Sequence, residues 1–225
     1  MSAIFITATG TEIGKTFVAA GLIRHWRATG REVDALKPVV TGFDPAAAAA
    51  SDPGVLLAAL GRPINSTEID RIAPWRYAAP LSPDIAAQRE NRALDFDALI
   101  AFSRRAAAEA KGMLLIEGIG GVMVPLDDRH TVLDWIAALN IAVVIVTGSY
   151  LGSLSHTLTA LDALRRRNLP IKALVVNETP GSSVSMTDTL TSLQKHAAPI
   201  PIAALARWRG GHVLHSGFAE IAGLL

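Results

Sequence analysis

Residues 4–17 read Ile-Phe-Ile-Thr-Ala-Thr-Gly-Thr-Glu-Ile-Gly-Lys-Thr-Phe, and they contain the strongest structural signal in the chain. An apolar run is followed by a loop with two glycines and then by a helical pattern. This is the order in which a phosphate-binding loop joins a strand to a helix. Glycines let the backbone approach phosphate oxygens, and the amides at the helix start surround them. Lys15 would neutralise phosphate charge, and the Thr16 hydroxyl could hold Mg²⁺.

The match to the general phosphate-loop pattern is incomplete at its first glycine. That pattern places a glycine at position 9, where this chain has Thr9, and Gly10 follows one residue later. The match therefore depends on Gly14, Lys15 and Thr16 and on the strand and helix around them. An ordinary strand-to-helix turn with a chance Gly-Lys-Thr is the alternative.

Further apolar runs predict a parallel sheet that is buried on both faces. With the first run they are Ile4–Ile6, Val33–Leu36, Met113–Ile116, Ala142–Val146 and Leu174–Val176. Helical patterns cover Phe17–Thr29 and Leu154–Arg167. This alternation predicts right-handed crossovers and an α/β fold, a doubly wound and mostly parallel sheet with helices on both faces. With 225 residues and no visible boundary, we expect one domain over residues 1–225.

Composition and charge exclude several classes of function. The chain has 21 Lys and Arg against 20 Asp and Glu, so its net charge is +1. That balance predicts neither a nucleic-acid partner nor a membrane surface. The chain contains no cysteine, which excludes disulfides and thiolate metal sites. The longest apolar run, Ile141–Val146, is too short to cross a bilayer, and the N-terminus does not resemble an export signal, so we expect a cytoplasmic protein.

Two stretches have the composition of surface loops beside the functional edge of the sheet. Residues 43–53 contain five consecutive alanines and Asp-Pro pairs, and residues 73–83 carry three prolines. The alanines at 46–50 are equally consistent with the start of a helix that continues through Leu60.

A lysine and a hydroxyl follow the second predicted strand. The segment reads Leu36-Lys37-Pro38-Val39-Val40-Thr41, which places Lys37 and Thr41 at the carboxyl edge of the sheet, where ligands usually bind. Lys37 would face Lys15. Two ammonium groups there suit phosphoryl transfer, because its transition state needs surrounding positive charge and alignment. The alternative is a strand-end lysine that points to water.

A carboxylate follows the third clear strand at the same edge. Glu117 comes after four apolar residues, and Gly118, Gly120 and Gly121 would let a substrate or phosphate come close. A buried acid is costly without a cation or donor, so Glu117 is a candidate Mg²⁺ ligand. Asp52 is a candidate for the second carboxylate. Ser51-Asp52-Pro53-Gly54 is equally typical of a helix start or turn.

Taken together, these segments resemble the dethiobiotin synthetase family, the ATP-dependent ring-closing enzymes of biotin synthesis. The likeness spans nearly the whole chain. It includes the loop Thr-Gly-Thr-Glu-Ile-Gly-Lys-Thr and further segments: Lys37-Pro38 with Thr41, Ser51-Asp52, Ser82-Pro83, Glu117-Gly118 with Gly120-Gly121, Leu151-Gly152 with His156, and Val176-Asn177.

The resemblance implies a homodimer that uses ATP and Mg²⁺. In this family 7,8-diaminononanoate is carboxylated by CO₂ to a carbamate, the carbamate attacks the γ-phosphate of ATP, and the remaining amine closes the ureido ring.

The resemblance also implies roles for individual residues. Lys15 and Lys37 would stabilise the carbamate and the phosphate, with Thr11 beside them as a catalytic and substrate contact and Thr41 as a second substrate contact. Thr16, Asp52 and Glu117 would hold magnesium. The nucleotide set comprises Glu12, Ile13, Gly14, Lys15, Thr16, Phe17, Asp52, Glu117, Gly118, Gly120, Asn177 and Glu178, with Asn177 at the adenine. Leu151, Gly152, Ser153 and Ser155 would reach the substrate carboxylate of the partner subunit.

Some residues depart from the family pattern or have plainer roles. Asp84 stands where histidine is common, and we assign it no role. Residues 204–207 replace the family's Gly-Glu-Ile-Pro nucleotide contact. His156 is interpreted as a hydrogen-bonded structural residue at a helix start. The tryptophans Trp75, Trp135 and Trp208 are interpreted as packing residues.

Two other functions use the same scaffold. A nucleotide-driven switch of the partitioning or metallocentre-assembly type is the first, but partitioning ATPases have a second lysine where this chain has Gly10. Guanine-specific switches have Asn-Lys-x-Asp, and this chain has Asn177-Glu178-Thr179-Pro180 instead. A small-molecule kinase or amide synthetase is the second alternative. It also needs Lys15, Thr16 and Glu117, so only substrate turnover separates it.

Overall fold

Six parallel strands form the central sheet in the computed structural model, which describes residues 2–207 and 216–225. The sheet order is β2-β5-β1-β6-β7-β8, and two further strands, β3 and β4, pair in parallel beside it. The strands are β1 (Ser2–Ala8), β2 (Val33–Leu36), β3 (Val39–Thr41), β4 (Trp75–Tyr77), β5 (Met113–Glu117), β6 (Ala142–Gly148), β7 (Ile171–Asn177) and β8 (Ile202–Leu205).

The helices of the described residues connect these strands and cover the sheet. They are α1 (Lys15–Ala28), α2 (Asp52–Leu60), α3 (Ser66–Ile72), α4 (Pro83–Arg89), α5 (Phe96–Glu109), α6 (Val132–Leu139), α7 (Ser153–Arg166), α8 (Met186–His196) and α9 (Gly217–Gly223). A short 3₁₀ helix, Pro45–Ala50, precedes α2. The predicted doubly wound α/β fold with a mostly parallel sheet is confirmed.

The strand order brings the functional segments together. Strand β1 lies between β5 and β6, and Ile6 of β1 stands opposite Glu117 of β5. All residues of β5 are buried, because helices cover both faces of the sheet. The loops after β1, β2 and β5 therefore meet at one carboxyl edge.

Two sequence predictions about loops were wrong in part. Residues 43–53 are not an irregular loop, and α2 starts at Asp52 instead of extending from the alanines. The helix starts there because the Ser51 side chain accepts a hydrogen bond from Gly54 N–H as the N-cap. Residues 73–83 contain β4, which pairs with β3 through Thr41 and Tyr77. A strand of three residues among prolines is too short to show periodicity.

The tryptophan interpretation is confirmed where the structure describes the residue. Trp135 is fully buried and packs edge-on against Phe5, with ring centroids 4.8 Å apart. Trp75 packs edge-on against Phe102. Trp208 lies outside the described residues, and so does residue 1. The extent of the domain over residues 1–225 accordingly stays a prediction. Within residues 2–207 and 216–225, no helix has the length and apolar character needed to cross a bilayer.

Candidate active site

Nine of the predicted site residues line one cavity of about 300 Å³ at the carboxyl edge of the sheet. The lining does not include Ile13, Phe17, Glu117, Gly118, Asn177 or Glu178. The loop after β1, the end of β3, the start of α2 and the segment after β5 all contribute to its wall. Its lining comprises Thr11, Glu12, Gly14, Lys15, Thr16, Lys37, Val40, Thr41, Asp52, Ile119 and Gly120. The lining combines two lysines with two acids, Glu12 and Asp52, so the cavity can hold an anion and a cation together.

The phosphate loop has the backbone conformation that its glycines predict. Gly14 has φ 98°, and a side chain there would place its Cβ 2.3 Å from the Asn177 amide nitrogen. Any other residue at position 14 would therefore meet both backbone strain and a clash. Gly14 is also the N-cap of α1, so the free amides of the first helical turn face the cavity.

Lys15 is buried at the base of this loop, with 7% of its surface exposed. Its ammonium donates a long hydrogen bond of 3.3 Å to the Gly10 carbonyl. Burial and the nearby charge of Lys37 lower the pKa of Lys15 to about 8, although Glu117 and Asp52 oppose that shift. An ammonium with one long hydrogen bond and little hydration is well suited to binding phosphate oxygens.

Lys37 is more deeply buried and is fully hydrogen-bonded. Its ammonium lies 2.7 Å from Glu117 Oε1, 2.8 Å from the Gly118 carbonyl and 3.0 Å from Asp52 Oδ2. Burial lowers the pKa of Lys37, but the two carboxylates outweigh that effect and raise it. The alternative of a lysine that points to water was wrong, because only 2% of Lys37 is exposed.

Asp52 is at a helix start and also lines the cavity, while its role as a magnesium ligand stays a prediction. It is the first residue of α2, and its carboxylate also reaches across the cavity. The Thr16 hydroxyl lies 2.8 Å from Asp52 Oδ1, and Lys37 lies beside the other oxygen. Burial raises the pKa of Asp52, but Lys37, Thr16 and Lys15 together lower it.

Glu117 is fully buried at the end of β5. With Thr16, Lys37 and Asp52 it forms one polar cluster. Its Oε1 lies 2.8 Å from the Thr16 hydroxyl and 2.7 Å from the Lys37 ammonium. The other carboxylate oxygen, Glu117 Oε2, has no hydrogen-bond partner among the described residues. A buried carboxylate oxygen without a partner is costly, and it is a ligand that Mg²⁺ prefers. Two carboxylates and a hydroxyl together fit Mg²⁺.

The glycines after β5 allow the chain to pass close to β1 and the phosphate loop. A Cβ at Gly118 would lie 2.7 Å from the Phe5 ring, and one at Gly121 would lie 3.2 Å from the Thr9 backbone. Gly120 has φ 56° and lines the cavity. Packing against β1 therefore explains Gly118, while Gly120 also faces the ligand space.

Asn177 and Glu178 lie at the end of β7, next to the phosphate loop. The Asn177 amide donates to the Ile13 carbonyl at 2.9 Å, so it anchors this loop, a role that the sequence did not predict. Glu178 accepts a hydrogen bond from the Arg207 backbone at 2.6 Å. Contacts of Asn177 and Glu178 with a nucleotide stay predictions, as does a contact of Phe17, whose ring packs 5.5 Å from that of Phe218.

Three threonine hydroxyls, those of half-buried Thr9 and of buried Thr147 and Thr157, form a hydrogen-bonded chain next to the phosphate loop that the sequence did not predict. Thr9 lies 3.2 Å from Thr147 of β6, and Thr147 lies 2.8 Å from Thr157 of α7. The Thr157 hydroxyl donates to the Ser153 carbonyl at 2.6 Å. The chain links the loop to the first turn of α7. Nothing in the sequence signals it, because the hydroxyls come from three distant segments.

Replacement of Thr147 by valine should lower the free energy of unfolding by about 1–3 kcal/mol, because the half-buried hydroxyl of Thr9 and the buried hydroxyl of Thr157 each lose a partner. Thr7 offers a matched control: it is equally buried in the same sheet, but its hydroxyl has no hydrogen-bond partner in the part of the chain that the structure describes. Thr7→Val should leave stability unchanged or raise it. Urea unfolding of both variants measures the difference, and equal losses in the free energy of unfolding would contradict a stabilising role of the hydrogen-bonded hydroxyls.

Residues 151–155, which include the first residues of α7, do not line this cavity. Leu151 is 83% exposed, Gly152 and Ser155 are exposed, and Ser153 is buried. Contacts of these residues with a substrate in a partner subunit stay predictions. The Nδ1 atom of His156 lies 2.9 Å from the Tyr150 hydroxyl, which agrees with a hydrogen-bonded structural residue.

Comparison with known proteins identifies the family of this chain. Residues 2–207 match the model of the AAA domain family. The chain is 52% identical to the ATP-dependent dethiobiotin synthetase BioD of Acidiphilium cryptum over 205 residues, 90% of this chain and 92% of that protein. The chain belongs to the ATP-dependent dethiobiotin synthetase family. The family member from Methylobacterium nodulans is 45% identical over 217 residues, 94% of this chain and 95% of that protein.

Solved structures confirm the phosphate-loop fold of this family member. The cell division ATPase MinD of Pyrococcus furiosus superposes with a TM-score of 0.56 over 100% of this chain and 98% of that chain, at 14% identity. A chain of the MinC:MinD cell division protein complex of Aquifex aeolicus gives a TM-score of 0.55 over 93% of this chain and 82% of that chain, at 11% identity. At such identities the likeness shows the fold alone. The family assignment, not this likeness, separates the chain from switch ATPases.

Proposed function

We propose that this dethiobiotin synthetase family member catalyses the ATP- and Mg²⁺-dependent closure of 7,8-diaminononanoate and CO₂ to dethiobiotin, with release of ADP and phosphate. The observation that carries the proposal is the pair of lysines, Lys15 and Lys37, that lines one cavity with Asp52 behind a phosphate loop, with buried Glu117 in contact with Lys37. The high identity to named dethiobiotin synthetases supports the reaction class, a ligase that forms carbon–nitrogen bonds.

The proposed reaction has three steps. One amine of the diamine attacks CO₂ and loses a proton, which forms a carbamate. A carbamate oxygen attacks the γ-phosphorus, and ADP leaves, which forms a mixed carbamic–phosphoric anhydride. The second amine attacks the carbamoyl carbon and loses a proton, and phosphate leaves as the ring closes.

Each step after the first needs positive charge beside the transferred group. Lys15 lies below the phosphate loop and would bind the phosphate oxygens, and Lys37 would stabilise the carbamate as it meets the phosphate. Thr11 and Thr41 face the same cavity and would orient the substrate through their hydroxyls. The low exposure of both lysines keeps water away from the reacting groups.

Thr16, Asp52 and Glu117 would hold the magnesium ion. When bound, Mg²⁺ would neutralise charge on the phosphate oxygens and align the triphosphate. The unpartnered Oε2 of Glu117 supports this assignment, because that oxygen is free to bind a cation.

A product assay tests the proposed function. The purified protein is incubated with diaminononanoate, bicarbonate and MgATP, and mass spectrometry follows the cyclic urea. We expect dethiobiotin with one ADP per product, and no product when the diamine, bicarbonate or ATP is omitted. ATP hydrolysis that does not depend on the diamine would instead indicate a switch ATPase, and ADP formation with another acceptor would indicate a different kinase or synthetase.

We also propose that the protein is a homodimer and that the segment at Leu151–Ser155 reaches the partner's substrate. Leu151 supports this assignment, because a leucine that is 83% exposed next to buried Ser153 suits a protein contact.

Leu151→Asp should weaken the dimer and raise the KM for diaminononanoate about tenfold or more, with nucleotide binding unchanged, because a buried charge is costly at an interface. Ile64→Asp is the control, since Ile64 is also an exposed apolar residue and lies outside this segment. Sedimentation velocity and substrate titration measure both effects. A dimer that survives with an unchanged KM would contradict the assignment.

We further propose that the protein works in the cytoplasm. The absence of cysteine and the use of ATP and Mg²⁺ suit that compartment. Cell fractionation with immunodetection tests this proposal, and recovery of the protein in the membrane or exported fraction would contradict it.

A further inference from the structure

Lys37 uses all its hydrogen-bonding capacity inside the protein. An ammonium has three donors, and Lys37 directs them to Glu117 Oε1, the Gly118 carbonyl and Asp52 Oδ2 at 2.7, 2.8 and 3.0 Å. To contact a carbamate or a phosphate, this ammonium must therefore leave at least one partner.

The carboxylates that Lys37 contacts are the same ones that fit Mg²⁺. Both Asp52 and Glu117 also lie 2.8 Å from the Thr16 hydroxyl, so the lysine and the hydroxyl occupy one small oxygen cluster. A divalent cation at these oxygens would lie close to the ammonium. In a buried site two such positive charges repel each other strongly, so a divalent cation and the Lys37 ammonium cannot both bind the same carboxylate oxygens.

Lys15 differs from Lys37 although it lines the same cavity. Among the described residues, its ammonium has one hydrogen bond, to the Gly10 carbonyl at 3.3 Å, and no ion pair with a carboxylate. It is accordingly available to an incoming phosphate without breaking a short contact.

We propose that Lys37 is an internal counter-cation that keeps free divalent cations out of the Asp52–Glu117 pair until a triphosphate brings the metal. The triphosphate supplies further oxygen ligands and negative charge, which compensate for displacing the ammonium. The displaced Lys37 then binds the reacting groups. The inference rests on the proposed function for the identity of those groups, and it adds a binding order: metal enters as the nucleotide complex.

Mn²⁺ binding without nucleotide tests the inference, with electron paramagnetic resonance to count free Mn²⁺. We expect weak binding to the unchanged protein and at least tenfold tighter binding to Lys37→Met. Lys15→Met is the matched control, because it removes the same charge from the same cavity without freeing a carboxylate. Tighter binding to Lys37→Met than to Lys15→Met supports the inference. Equal affinities, or no gain in Lys37→Met, would overturn it.

Two further measurements keep the inference testable if the Lys37→Met variant is less stable than the unchanged protein. The first is thermal unfolding with and without Mn²⁺, where a larger rise of Tm in this variant than in the unchanged protein supports the inference and an equal rise overturns it. The second uses the unchanged protein with a non-hydrolysable ATP analogue, which should tighten Mn²⁺ binding at least tenfold beyond the binding of Mn²⁺ by the analogue alone. An unaltered Mn²⁺ affinity would overturn the proposed order. None of these readouts needs turnover, so a protein that forms no dethiobiotin could still pass them.

Discussion

Replacement of Lys37 by alanine is expected to lower dethiobiotin formation about 100- to 1,000-fold or more while nucleotide binding stays largely intact. Lys37 is the cation that would stabilise the carbamate as it attacks the γ-phosphate, whereas the phosphate loop and Lys15 would bind the nucleotide. Single-turnover product formation measures the first quantity, and titration with a fluorescent ATP analogue measures the second.

The Lys37→Ala variant needs a stability check, because it leaves Asp52 and Glu117 near each other without their shared cation. Loss of one partner from a buried ion pair typically costs about 3–5 kcal/mol, so the assay is run well below the measured Tm and in saturating Mg²⁺. Lys172→Ala is the control, since Lys172 is an exposed lysine on β7. Ring closure at the control rate in Lys37→Ala would overturn the assignment.

The second large effect is expected from Glu117→Gln, which should reduce the enhancement of nucleotide binding by Mg²⁺. A neutral amide is a poor ligand for a hard cation, and Glu117 Oε2 is the unpartnered buried oxygen of the cluster. We expect a loss of about 10- to 100-fold in metal-dependent affinity. Isothermal titration with nucleotide, with and without Mg²⁺, measures it.

Glu109→Gln is the matched control for this measurement, because Glu109 is exposed at the end of α5. It should keep the full Mg²⁺ enhancement. Nucleotide binding without metal should change little in Glu117→Gln, since the phosphate loop is intact. The same Mg²⁺ dependence in both variants would count against Glu117 as a ligand.

The phosphate loop was predictable because its chemistry is continuous in the sequence. Gly14, Lys15 and Thr16 are neighbours, and the strand and helix on either side follow from apolar periodicity. Glu117 was predictable for a related reason, since a carboxylate after four buried residues must have a partner at the sheet edge. These signals are all carried by a few adjacent residues.

The direction of Lys37 and the position of the Asp52 carboxylate were not decidable from their own segments. The sequence of residues 36–42 is compatible with a lysine in water, and the structure buries it between two carboxylates from α2 and β5. Asp52 looked equally like a helix start and a ligand, and packing of α2 beside α1 makes it a neighbour of Thr16 as well.

The amino-acid sequence alone was sufficient for the fold class, the phosphate loop and the family resemblance, because periodicity, loop conformation and motif identity depend on residues that are close along the chain. Tertiary structure was needed for the Lys37–Asp52–Glu117 cluster, for the anchoring of the loop by Asn177 and for the threonine hydroxyl chain. Those contacts join residues far apart in sequence, and they exist only because the sheet order places β5 and β6 on either side of β1. That order results from packing of the whole core, which no short segment encodes.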